Sequence, residues 1–244
     1  MADMPIVNPI SLIGKIIRGK TEIAVSGFAG EQVLSQVTDA YKDCKNELYA
    51  AIEADLRLSY GNEIGGLLAA YATNIATNEP DPPQLLDKIP ESDRAKAYEI
   101  AETLRKHDEL AIFVADAAWW RAQGEIMTAY KKRGEASPEI VVFSLNLLET
   151  SIAIAPTESR FYETRAWIYM VAGQISEGHE AAQEAIIHDA TSFEAWRLKG
   201  VATYLLGNPE HAVACFDIGL TLDPSNSFLK TAIKIARSKP STWA

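Results

Sequence analysis

Between Phe161 and Asn226 the chain repeats itself at a spacing of 34 residues. Ala166 is answered by Gly200, Gly173 by Gly207, Gly178 by Ala212, Ala185 by Gly219 and Ala190 by Pro224; Tyr162 is answered by Trp196 and Ala182 by Phe216. Small residues returning at one phase over a period of this size mark an array of stacked helical hairpins. Each hairpin in such an array buries its apolar face only against its neighbours. The expected fold is therefore all-α.

The chemistry of the second copy explains the spacing. Gly200 and Ala212 fall where two antiparallel helices must approach closely, so a larger side chain would wedge them apart. Gly207-Asn208-Pro209 breaks one helix and starts the next. Glycine supplies the left-handed end, and proline suits a first helical turn. Pro224 closes the second helix. The first copy, residues 159–192, is looser, with Ala166, Gly178 and Ala190 in the corresponding places. Further back only Ser144, Leu148, Ser151 and Pro156 hold the register, which makes a degenerate repeat of about residues 116–158.

The second copy, residues 193–226, resembles a tetratricopeptide repeat (TPR) at Trp196, Gly200, Gly207, Ala212, Phe216, Gly219 and Pro224. The resemblance covers the C-terminal half of the chain. It implies an α-solenoid whose first helices line a concave groove for a peptide or helix of another protein. Carried over position by position, the groove residues are Arg160, Glu163, Trp167, Met170 and Val171 in the first copy. The second contributes Glu194, Arg197, Val201, Tyr204 and Leu205. Aromatic, Met and Arg side chains are the composition expected of a binding surface. Some members grip a terminal carboxylate with Lys and Asn at the fifth and ninth places. Here those places hold Glu163 and Trp167, then Arg197 and Val201, so that clamp is absent. With so few repeats, the chain's own N-terminal region is an alternative occupant of the groove.

Upstream, residues 1–90 read as an N-terminal helical region ending in a proline-rich loop, and residues 91–244 as the repeat domain. Ile10, Ile13 and Ile17 share a helical face within residues 6–28, with Lys15, Arg18 and Lys20 elsewhere. That segment reads as a helix of the domain, with peripheral membrane or partner contact and a short strand at Glu22–Val25 as alternatives. From Glu31 to Tyr60, Leu34, Val37, Tyr41, Cys44, Leu48, Ala51 and Leu58 follow a three-four seam, interrupted by Asp55. The seam predicts one long amphipathic helix facing a bundle core, with a homo-oligomeric coiled coil as the alternative. Gly61-Asn62 ends it, and a second helix carrying Ile64, Leu67, Leu68, Tyr71 and Ile75 makes a hairpin. The loop of residues 77–90 holds four prolines, with Leu85, Leu86 and Ile89 expected to pack down. Helices follow from Ser92 to Lys106 and from Leu110 to Lys132, with a break at His107-Asp108; Gly134 ends the second and Ser137-Pro138 opens another. A capping helix, residues 227–239, closes the array, and Lys230, Lys234 and Arg237 form its polar face.

A net charge of -10 argues against nucleic acid as the main partner. Cys44 and Cys215 read as two buried thiols in a reducing, cytoplasmic setting. No run is apolar enough to span a membrane, and the first ten residues do not form a signal peptide. There is no phosphate loop, nucleophile elbow, CxxC or HExxH. Glu180, Glu184 and His188 lie four apart on one helix but lack matching carboxylates from a second. The chain is expected to be non-enzymatic and to need no metal or cofactor. It reads as an adaptor, scaffold or assembly subunit. A structural homo-oligomer and an enzyme with an all-helical site within residues 1–115 are the alternatives.

Overall fold

The computed structural model describes residues 27–76, 85, 87–106, 111–133 and 136–238. The expectations for residues 6–26, Leu86, the His107-Asp108 break, Gly134 and Lys239 lie outside them, as do the side chains of Leu34, Val37 and Cys44. Among the described residues all regular structure is helical. The ten helices are α1 Gly27–Tyr60, α2 Asn62–Ala76, α3 Glu91–Lys106, α4 Ala111–Arg133 and α5 Pro138–Ile154, followed by α6 Ser159–Val171, α7 Ile175–His188, α8 Phe193–Leu205, α9 Pro209–Leu222 and α10 Ser227–Ser238. Contacts divide the chain into two compact units. One takes in Gln36–Ala122 and Leu147–Pro156; the other includes Gln123–Asn146 and everything from Thr157 onward.

In the first unit α1 and α2 form the expected hairpin. Gly61 turns the chain at φ +81°. Gly65 lets the two backbones touch, since a Cβ there would lie 2.5 Å from the Arg57 Cα. α3 packs on α2. Its Arg105 donates from Nη2 to the Ile75 carbonyl at 2.9 Å, satisfying an orphan oxygen at the end of α2. The core gathers Leu48 and Ile52 with Leu68, Tyr71, Ala97, Leu104 and the loop's Ile89. The seam on α1 differs from the expected one. Leu48 is fully buried and Ile52 follows it inward, whereas Ala51 is exposed and Leu58 is 87% exposed. Leu56 also packs on this core. From Leu48 onward the stripe runs through Ile52 and Leu56 in steps of four, so the buried face turns around the helix instead of keeping the alternating step of a supercoil seam. Ser151 Oγ in α5 donates to the Ala115 carbonyl of α4 at 2.7 Å.

In the second unit α6 to α10 stack in chain order, each on the next. One apolar core runs through them, built from Ala166, Met170, Ala182, Leu198, Val201, Phe216 and Leu229 among others. The turns repeat with the sequence. Gly173 and Gly207 both take positive φ, at +78° and +88°. Their N–H groups donate to the Met170 and Tyr204 carbonyls at 3.1 and 3.0 Å. The next residues, Gln174 and Asn208, donate to the Tyr169 and Thr203 carbonyls at 2.9 and 3.1 Å, completing matched helix ends. Asn208 caps α9 by accepting from the His211 N–H, and Pro209 occupies its first turn.

The junctions between hairpins repeat as well. Asp189 Oδ1 accepts from the Thr191 N–H at 2.8 Å, and Asp223 Oδ1 accepts from the Ser225 N–H at 3.1 Å. Ser192 and Asn226 then cap α8 and α10, accepting from Ala195 and Leu229.

Candidate functional site

The residues expected to face a partner sit on α6 and α8, and burial sorts them. Arg160, Trp167, Val171 and Leu205 are half-buried. Glu163, Met170, Arg197, Val201 and Tyr204 are buried. Met170, Val201 and Tyr204 join the core of the array, and Trp167 and Leu205 pack against it with part of each side chain open. Met170 is pressed from behind by α7: a Cβ on Gly178 would meet its Cγ at 2.7 Å.

Arg160 and Glu163 are answered 34 residues later by Glu194 and Arg197, the same charges in reversed order. On α8 the two ends meet. Arg197 donates from Nε to Glu194 Oε2 at 2.6 Å and from Nη2 to Oε1. Both side chains are nearly closed to water, and the guanidinium lies 5.3 Å from the Phe228 ring centroid of α10. On α6 the arrangement differs. Arg160 donates from Nε to Glu158 Oε2 at 3.1 Å, and its guanidinium lies 5.0 Å from the Phe161 ring centroid. Glu163 instead accepts the Ser192 hydroxyl at 2.6 Å.

The electrostatics follow from that exchange. Burial is the largest influence on Glu163 and pushes its carboxyl up to about 7. The Ser192 hydroxyl pulls it down, Glu194 and Asp189 push it up, and Arg197 pulls it down. Ser192 and Asp189 did not stand out in the sequence, although their recurrence as Asn226 and Asp223 was there to be read.

The acidic and histidine side chains of α7 are engaged separately. Glu184 pairs with Arg165 of α6, and the His188 ring stacks on Tyr162 with centroids 4.5 Å apart. They do not converge with Glu180 on one point, and among the described residues no group of three such ligands gathers. Cys215 is a free, buried thiol. Burial pushes its pKa up, against opposing effects from Lys199 and Thr203, which keeps it in the unreactive form. No described helix is long and apolar enough to cross a membrane.

No protein-family profile matches the chain. It is 30% identical over 86 residues to tetratricopeptide repeat protein 33 of Xenopus laevis, across 35% of this chain and 33% of that protein. It is 26% identical over 159 residues to the Hsp70-Hsp90 organizing protein of Triticum aestivum, across 65% of this chain and 25% of that one. The chain thus spans about a third and a quarter of these two relatives. Among solved structures, the Arabidopsis OM64 TPR domain superposes with a TM-score of 0.45 at 19% identity, over 53% of this chain and 98% of that one. A thermophilic TPR protein of Thermus thermophilus superposes with a TM-score of 0.47 at 13% identity, over 95% of this chain and 98% of that one. By its 34-residue period, its hairpin stacking and its repeated turn chemistry, the C-terminal half of the chain is TPR-like.

Proposed function

We propose that the chain is a non-enzymatic adaptor, scaffold or assembly subunit that holds a segment of another protein against the first helices of its repeats. The observation that carries this reading is the state of Trp167. It is a large aromatic side chain on α6, packed against the core on one side and partly open on the other. Its counterpart one repeat later, Val201, is completely buried. An aromatic anchor held rigid and left partly open is the form that binding hot spots take. Val171 and Leu205, which occupy matching places in the two repeats, extend the apolar surface, and Arg160 borders it. These four side chains touch the partner. Glu163, Met170, Arg197, Val201 and Tyr204 lie beneath and hold their shape.

The similarity to a protein named for organizing Hsp70 and Hsp90 supports a scaffold reading. The places that would grip a terminal carboxylate hold Glu163, Trp167, Arg197 and Val201, so the partner segment is read here by apolar side chains. The test is a pull-down with the wild-type chain beside Trp167→Ala with Leu205→Ala, after circular dichroism shows both folded. One protein captured by the wild type and lost by the variant supports the reading. The same proteins captured by both would sink it.

A further inference from the structure

We infer that the buried Glu163 carboxyl, held by Ser192, is a proton-sensitive joint between the two repeats: they are joined more firmly while it carries a proton, and its ionisation loosens them by placing an unpaired charge in the core, although the Ser192 hydroxyl itself binds the charged form better. This concerns the array itself and stands whether or not a partner binds.

The geometry carries it. Ser192 Oγ serves two helices at once. It accepts from the Ala195 N–H at 3.2 Å, capping α8, and donates to Glu163 Oε1 of α6 at 2.6 Å. The side chain of Glu163 is buried, with 6% of the residue exposed. A buried carboxylate is ordinarily matched by a cation. Among the described residues none forms an ion pair with Glu163.

The charged groups around it make ionisation harder. From α8 come Glu194 and Arg197, and Arg197 is already bound through two nitrogens to Glu194. From the turn between α7 and α8 comes Asp189. On α7 the His188 ring is stacked on Tyr162 and does not pair with Glu163. On Glu163's own helix, Arg160 is turned to Glu158. Ionised, Glu163 would be a second buried carboxylate beside Glu194, with Asp189 near the surface and one guanidinium among the three. Protonated, it keeps the contact to Ser192 through its carbonyl oxygen and removes the repulsion.

The sign follows. The carboxyl's ordinary value is 4.5, and burial raises it to about 7. Between those two values the folded chain holds a proton that the unfolded chain releases. Stability contributed by this group is therefore full at acid pH and lost as pH rises through about 7. The loss runs from about 4.5 to about 7 and is complete just above neutrality.

The test uses the full chain. Denaturant unfolding is measured from pH 4.5 to 8 for the wild type and for Glu163→Gln, whose amide oxygen still accepts from Ser192 but does not titrate. The folded-to-unfolded ratio of the wild type should fall relative to the variant by on the order of a hundredfold across that range. Identical pH profiles would overturn the inference. Should the variant not fold, carbon-13 NMR of the wild type decides: a Glu163 midpoint near 7 supports it, and one in the ordinary range overturns it. The Ala195 amide resonance must titrate with the same midpoint, because Ser192 joins the two groups. An amide signal that ignores the carboxyl would show that the two repeats are not coupled there.

Discussion

The ring of Phe216 fills the space that a side chain at Gly200 would need. A Cβ on Gly200 would lie 2.6 Å from the ring's Cδ1 and 3.1 Å from its Cζ. The ring cannot easily withdraw, because Phe216 is almost fully buried and meets Phe228 edge-on, with centroids 6.4 Å apart. One repeat earlier the same places hold Ala166 and Ala182, both fully buried. The two repeats thus fill this contact differently, with two alanines in one and with glycine making room for a phenylalanine ring in the other. Gly200→Ala should therefore lower stability by about 1–3 kcal/mol through overpacking. Denaturant midpoints would show it, and a loss below about 0.5 kcal/mol would mean that the ring moves freely.

Much of this array was legible because its constraints are local and recur. Gly173 and Gly207 announce helix ends, and the hairpin made by α1 and α2 follows from Gly61 and the small residues after it. The seam of α1 was misread at Ala51 and Leu58, because after Leu48 the three step leads to Ala51 and the four step to Ile52, both apolar. The choice between them is made by what the helix packs against, which its own residues do not state. The exchange of Arg160 and Glu163 for Glu194 and Arg197 was equally visible as letters. Its consequence was not, because Arg160 turns to Glu158 and Glu163 to Ser192 only in three dimensions.

The matched caps give a second prediction. Ser192 and Asn226 hold equal places, and each accepts from the N–H three residues on. Replacing either with Ala should cost about 1 kcal/mol for the lost cap. Ser192→Ala should cost more at pH 8 than at pH 5, because its hydroxyl also donates to Glu163 and binds the ionised carboxylate better than the protonated one. Equal losses for Ser192→Ala at pH 5 and pH 8 would show that this contact adds nothing to the cap.

Arg197 and Glu194 form a buried pair, so removing one end strands the other. Arg197→Met alone should cost about 3–5 kcal/mol, since Glu194 is left charged and closed to water. Glu194→Leu combined with Arg197→Met should cost less than the sum of the two single changes. A double-mutant cycle measures this directly, and simple additivity would rule out the pairing.

Gly173 separates backbone strain from packing. Its φ is +78°, and a Cβ there would meet nothing within 4 Å. Gly173→Ala should thus cost only the left-handed conformation, about 1–2 kcal/mol. Gly173→Asn should recover part of that, because asparagine tolerates the conformation better. If the two variants are equally stable, the turn has moved out of the left-handed region and the matched helix ends are not required.

Trp167 and Ile168 are neighbours on α6 with opposite surroundings. Ile168 is fully buried, while Trp167 is packed on one side and open on the other. Ile168→Val removes one buried methylene at about 1 kcal/mol, and Trp167→Ala should cost about 2–3 kcal/mol, less than a fully buried indole because one side is open. Capture is therefore measured where circular dichroism shows both variants folded, so that a difference in partner capture comes from the lost surface. Trp167→Ala should release the partner by a factor of ten or more, as expected for a hot-spot anchor, and Ile168→Val should leave capture as it is in the wild type. If both lose the partner in proportion to their stability, the indole acts only through the fold, and the partner-binding face must be sought elsewhere on the chain.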